Sequence, residues 1–243
     1  MQRSFEGRTA LVTGASSGIG RAIALAWGAR GGSVALVGRD RSALAAAARD
    51  LEAVGARAEA WAADLTDAAS LRSLPDRVRD RFGALHALVH AAGLYATGPE
   101  TLADAGSLSA LWQVNAGAPL QLSLASRELL RASAGEIVFV NSSVVASPAP
   151  GLAAYAATKR ALAAIADSLR ASLNEQGIRV LSVYPGRTAT PMQRRIFELE
   201  GRAWRPERLL QPEDVAAAVI HALELPRTAE ITDLHIRPFR KLE

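Results

Sequence analysis

The chain predicts an α/β fold: a doubly wound, parallel, seven-stranded sheet with helices on both faces, in a single domain spanning 1–243. Three observations predict it. Short apolar runs alternate with longer Ala- and Leu-rich stretches of helical period, the pattern of βαβ units. A length of 243 residues suits one such unit. No internal repeat and no linker-like stretch divides the chain.

The first strand is Thr9–Thr13, and Gly14-Ala15-Ser16-Ser17-Gly18-Ile19-Gly20 turns it into a helix near 19–30. Ser33–Gly38 is the second strand, followed by a helix over 41–54, and Ala58–Ala62 is the third, followed by one over 68–82. Ala87–His90 leads to a long helix over 109–131, and Glu136–Asn141 to another over 151–176. Arg179–Tyr184 is the sixth strand, 213–224 the last helix and Ile231–Ile236 the final strand. Right-handed crossovers then place helices on both faces of the sheet. Segment 187–210, with Pro191, Met192, Ile196, Phe197, Trp204 and Pro206, shows no clear period. It follows a strand's carboxyl end, where open α/β sheets bind ligands, so it is expected to cover a substrate site.

Composition removes several function classes. With no cysteine there is no disulfide, thiolate metal site or cysteine nucleophile. The net charge is +4, and all cations except Lys159 and Lys241 are arginines interleaved with acids, so no nucleic-acid partner is expected. Residues 1–8 are polar, and no window approaches the ~18 apolar residues of a membrane span. A cytoplasmic protein without a membrane partner is expected.

The strand, glycine turn and helix at Gly14 to Gly20 have the order of a Rossmann-like phosphate cradle, the alternative being a turn that only packs the helix against the sheet. Glycines permit tight backbone angles there and let amides approach a pyrophosphate at the positive end of the helix dipole. Gly14, Gly18 and Gly20 are spaced GxxxGxG, with Ser16, Ser17 and Ile19 between them, and the lysine of a nucleotriphosphatase loop is missing. The second strand ends in Gly38-Arg39 rather than in an acidic residue that binds ribose hydroxyls. Arg39 offers a planar guanidinium to a 2′-phosphate, which favours NADP(H); pairing with Asp40 is the alternative role for that cation. Asp64-Leu65, after the third strand, is placed to touch adenine, or Asp64 is a helix cap.

Tyr155 and Lys159 are four residues apart near the start of a helix, hence on one face. In a chain with three tyrosines and two lysines, such spacing arises by chance about 2 times in 100. A nearby ammonium favours the phenolate, so Tyr155 is expected to be an acid/base with its pKa brought down toward neutrality. Thirteen residues upstream, Ser142 emerges at a strand end and can hydrogen-bond a substrate oxygen as it gains charge, with Ser143 as the alternative.

Thr13-Gly14 with Gly18 and Gly20, Ala91-Ala92-Gly93, Asn115, Ser142, Tyr155 with Lys159, and Pro185-Gly186 with Thr188 and Thr190 together resemble the short-chain dehydrogenase/reductase family in its compact single-domain form. The likeness covers almost the whole chain. It implies that Tyr155 exchanges a proton with the substrate oxygen, Ser142 positions that oxygen, and Lys159 lowers the tyrosine pKa while holding the nicotinamide ribose. It also implies that Asn115 holds a water linking Lys159 to solvent. Ala92 and Gly93, and Pro185-Gly186 with Thr188 and Thr190, would flank the cofactor, the last pair of segments next to the nicotinamide and its phosphate. Two positions depart from the family: His90 replaces its usual first Asn, and Ser17 replaces a basic residue found in some NADP-dependent members.

The expected activity is hydride transfer between NADP(H) and a small-molecule carbonyl/alcohol pair, without a metal. A non-catalytic NADP(H) sensor and a reductase of carrier-bound 3-ketoacyl groups, docking through Arg127, Arg131 or Arg194-Arg195, are the alternatives. The expected pocket wall, mostly apolar, comprises Leu94, Tyr95, Val144, Pro148, Tyr184 and parts of 187–205, with Arg187 or Arg194 available to an anionic tail. Helices 109–131 and 151–176 carry more Ala/Leu surface than one sheet face absorbs, and the family often associates through them, so a homodimer or homotetramer is expected.

Overall fold

The computed structural model describes residues 4–98, 104–147 and 150–240. Seven parallel strands, β1 (Thr9–Thr13), β2 (Ser33–Gly38), β3 (Ala58–Ala62), β4 (Ala87–His90), β5 (Glu136–Val140), β6 (Arg179–Pro185) and β7 (Asp233–Ile236), form one sheet in the order β3-β2-β1-β4-β5-β6-β7. The expected parallel sheet is therefore present, with β7 starting two residues later than the sequence suggested. Among the described residues the α-helices are α1 (Gly18–Gly28), α2 (Arg41–Ala53), α3 (Ala68–Phe82), α4 (Ala105–Trp112), α5 (Ala118–Ala125), α6 (Arg127–Ala132), α7 (Ala153–Leu173), α8 (Pro191–Leu199) and α9 (Pro212–Leu223).

Strand alternation builds two cores. Val12, Leu36, Val89 and Val138 face α1, α2 and α9, meeting Ile23, Trp27, Leu44 and Val219. Their neighbours Leu11, Val37, Leu88 and Phe139 face α3 and α5 to α7, meeting Leu71, Leu122, Leu130 and Leu162. Because both faces are covered, the central strands read as continuous apolar runs. Each fully buried Leu, Ile or Val contributes about 1.5–3 kcal/mol of transfer free energy.

Two expected elements differ. The single helix over 109–131 is broken: a π-turn, Gln113–Gly117, separates α4 from α5, and α6 follows Ser126. Asp104 starts α4 earlier than expected, accepting from the Gly106 and Ser107 amides at 3.2 and 2.9 Å. Segment 187–210 is not patternless, because Thr190 caps α8 by accepting from the Gln193 amide at 3.1 Å. Only Ile196 and Phe197 of this nine-residue helix are buried, so it leaves no extended period in the sequence.

The chain moves outward from β1 through β2 to β3, then returns to place β4 on the other side of β1. Connections leaving the carboxyl ends of β1 and β4 diverge there and open a crevice, the place where sheets of this kind bind ligands.

Candidate active site

A cleft of about 700 Å³ lies over these strand ends, and every residue singled out above for cofactor or chemistry lines it except Asn115. At its cofactor side, Gly14 has φ +69°, and a Cβ there would sit 2.6 Å from the Ala92 nitrogen and 2.7 Å from the Ala91 oxygen. A Cβ on Gly20 would lie 2.5 Å from the Gly14 oxygen. The turn therefore packs backbone on backbone, and only glycine fits at both positions. Ser17, Gly18, Ile19 and Gly20 bring the start of α1 to the cleft, with no acidic side chain in its first turn. This cradle fits a pyrophosphate, whose charge the first-turn amides and the helix dipole favour.

Arg39 and Asp64 lie at the far end of the same cleft. Asp40 does not claim Arg39: its carboxylate caps α2, accepting from the Ala43 amide at 3.0 Å. Asp64 accepts from the Thr66 amide and hydroxyl, both at 2.8 Å. These bonds, with a smaller attraction from Arg39, hold its carboxyl below the usual range. The helix-capping role belongs instead to Asp67, which accepts from the Ala69 and Ser70 amides.

At the other end, α7 presents Tyr155 and Lys159 from its first turns, facing Ser142 beyond the end of β5. Burial pushes the Tyr155 phenol up to about 12, opposed by a hydrogen bond with the Ser142 hydroxyl. This reverses the expected direction. The Lys159 ammonium is directed to the Val140 carbonyl oxygen, 3.0 Å away, and burial brings its own pKa down to about 8.

Asn115 sits in the π-turn, fully buried. Its amide oxygen accepts from the Leu94 amide at 2.8 Å, while its nitrogen donates to the Leu94 carbonyl at 2.9 Å and to the Thr158 hydroxyl at 3.1 Å. Thr158 in turn donates to the Tyr155 carbonyl at 2.8 Å. One side chain thus joins the post-β4 segment to the Tyr155 turn of α7. His90, in place of the family's usual Asn, is stacked on Phe139 at 4.9 Å, with Nε2 2.9 Å from the Ser123 hydroxyl. Burial lowers its pKa to about 3, so it is a neutral structural group.

After β6, the Gly186 amide donates to Ile236 at 2.8 Å and the Thr188 hydroxyl to the Gly186 carbonyl at 3.0 Å. The Thr190 methyl packs against the Gly18 position, so this segment closes over the glycine turn. On the substrate side, the Tyr95 ring lies 5.1 Å from that of Tyr155, and Leu94, Val144, Leu152, Met192 and Ile196 add apolar wall. Tyr184 is not part of it: the ring stacks on His235 at 4.5 Å, toward β7. Pro148 lies outside the described residues. Ala110 on α4 and Val114 in the π-turn line the cleft unanticipated.

Of the two cations assigned to an anionic tail, Arg187 lines the cleft and Arg194 does not. Both terminal nitrogens of Arg187 bond Glu200, at 2.8 and 2.7 Å, and Arg194 pairs with Glu198 at 3.5 Å on an exposed face. Among the described residues no helix is long and apolar enough to cross a membrane.

A family model described as short chain dehydrogenase matches residues 8–201. An uncharacterised oxidoreductase of Staphylococcus saprophyticus is 31% identical over 236 residues, covering 96% of this chain and 98% of its own. The 2,3-dihydro-2,3-dihydroxybenzoate dehydrogenase of Bacillus subtilis is 30% identical over 233 residues, covering 90% and 89% respectively. Among solved structures, a metagenomic short-chain oxidoreductase in complex with NADP matches with a TM-score of 0.85 and 30% identity, over 98% of this chain and all of the other. Motifs, strand order and these likenesses agree along most of the sequence, and the chain belongs to the short-chain dehydrogenase/reductase family of oxidoreductases.

Proposed function

We propose that the protein interconverts a carbonyl and an alcohol on a small molecule with NADP(H), using Tyr155 as the acid/base. The observation that carries this reading is the joint placement of Ser142, Tyr155 and Lys159 at one end of a cleft whose other end holds Arg39 and the glycine cradle. When bound, the nicotinamide cofactor supplies or accepts the hydride. Tyr155, protonated at neutral pH, donates its proton to the carbonyl oxygen as negative charge develops there, and the Ser142 hydroxyl donates a second hydrogen bond to it. Lys159 holds the ribose and stabilises the phenolate left behind. Gly14, Ser16, Ser17, Gly18, Ile19 and Gly20 hold the pyrophosphate; Ala92, Gly93, Pro185, Gly186, Thr188 and Thr190 flank the nicotinamide half; and Asp64 and Leu65 meet the adenine. Asn115 acts by position, since fixing Leu94 fixes Gly93 and Tyr95 beside it. Segment 187–210, through α8, covers the substrate.

Arg39 supports NADP(H) over NAD(H), as does the NADP in the solved neighbour. Free small molecules are the class proposed, with carrier-bound 3-ketoacyl groups, docking on exposed Arg127, Arg131 or Arg194-Arg195, as the alternative. We further propose a homodimer or homotetramer, with exposed Trp112 and Leu124 in the contact.

The test is NADPH consumption with a panel of aryl and alkyl ketones, for wild type and Tyr155→Phe. Wild type should turn over apolar ketones, and the variant should lose about 10²- to 10⁴-fold in rate while still binding NADPH. A fully active variant overturns the role of Tyr155, and better turnover with NADH overturns the cofactor preference.

A further inference from the structure

Glu200 ends α8, where a carboxylate meets the negative end of the helix dipole and is disfavoured unless another charge compensates it. That compensation is Arg187, which leaves β6 directly after Pro185-Gly186 and grips Glu200 with both terminal nitrogens. Arg187 also lies over the Phe197 ring at 5.1 Å, with Arg202 over the same ring at 5.3 Å and Trp204 edge-on at 5.4 Å. The pair is therefore held by packing as well as by charge. Arg187 and Glu200 both line the cleft. They face its substrate half: after burial, Glu200 is the main influence raising the Tyr95 phenol, which Arg187 lowers, and Tyr95 lies against Tyr155.

A guanidinium fork beside a carbonyl-binding site is a ready receptor for a substrate carboxylate. Here an internal carboxylate already fills that fork. We propose that Glu200 is a specificity residue: by occupying Arg187, it restricts the site to carbonyl substrates that carry no anionic group near the reacting carbon. A substrate carboxylate meets a like charge and a fork whose two terminal nitrogens are already bonded, with Arg202 also drawn to Glu200 at 3.7 Å, whereas a neutral ester or ketone breaks no bond on entry. Since side chains of the pair are 32% and 31% exposed, solvent screens it, and the discrimination expected is about 10- to 100-fold. The inference rests on the carbonyl-reductase reading.

The test compares benzoylformate with its methyl ester, using NADPH, in wild type, Glu200→Gln, Glu200→Ala and Glu200→Gln/Arg187→Gln. Wild type should prefer the ester. Both single variants should move the acid-to-ester ratio of kcat/KM toward the acid by about 10-fold or more, chiefly through the KM of the acid, and the double variant should lose that gain. Equal use of acid and ester by wild type, a parallel rise for both substrates, or a shift that survives loss of Arg187 overturns the proposal. Calorimetric binding of benzoylformate separates the two readings. Without turnover, Arg187-dependent binding to the single variants but not to wild type upholds the role of Glu200 while the carbonyl-reductase reading fails. Identical binding to all proteins overturns it.

Discussion

The Lys159 ammonium donates to the Val140 carbonyl oxygen at 3.0 Å, tying α7 to the last residue of β5. Since Val140 lies two residues before Ser142 and Lys159 one helical turn after Tyr155, this bond sets the spacing between the two hydroxyls. Burial brings Lys159 down to about 8, so its charge is present at neutral pH and lost as pH rises through that value. Carbonyl reduction should therefore hold a steady kcat/KM from about pH 6 to 7 and fall as pH rises through about 8. Lys159→Met should be slower by about 10²-fold or more and lack that break. A pH profile with the same break in both proteins contradicts the assignment.

Arg39 is exposed and placed beside Asp64 at the cleft's far end, while Asp40 is committed to capping α2. Replacing it by Ala should remove about 1.5–3 kcal/mol of charge-assisted bonding to a 2′-phosphate. Fluorescence titration should show NADPH affinity falling about 10- to 100-fold, with NADH affinity nearly unchanged. Equal losses for both cofactors would assign Arg39 to a site they share.

His90 is neutral in the folded protein, with a pKa of about 3 against 6.5 when unfolded. The unfolded chain thus binds a proton that the folded one refuses, so this contribution is complete above pH 6.5 and lost as pH falls toward 3. The loss is about 1.4 kcal/mol per pH unit within that window. His90→Asn removes it: relative to wild type, the variant should gain about 2 kcal/mol between pH 7 and pH 5 in urea unfolding. Parallel stability curves for the two proteins count against a buried neutral imidazole.

Trp112, at the end of α4, and Leu124, on α5, are about half exposed. If they form a subunit contact, light scattering of wild type gives a multiple of 25.6 kDa, and Trp112→Glu with Leu124→Glu lowers it. A wild-type mass of one chain removes this surface from consideration.

The sheet was legible because strands covered on both faces must be apolar throughout, as Ala10-Leu11-Val12 and Ile137-Val138-Phe139 are. Tyr155 and Lys159 stood out because both residue types are scarce in this chain. The π-turn did not, since Ala and Leu continue on both sides of Asn115 and one widened turn leaves the composition unchanged. Nor did the Arg187–Glu200 pair, which forms only when α8 folds back across thirteen residues. Tyr155's direction of shift was missed for a related reason: spacing shows that an ammonium is near, but not that the phenol is buried, which is what raises it.

α8 contributes only Ile196 and Phe197 to the interior and contains no residue of the sheet. The glycine turn and the Tyr155 turn, by contrast, are locked into the backbone of β1, β4 and α7. Residues 191–200 lie outside the strand register, so under the proposed function this helix with its Glu200 cap is the natural unit of exchange for anyone seeking to transplant selectivity between relatives.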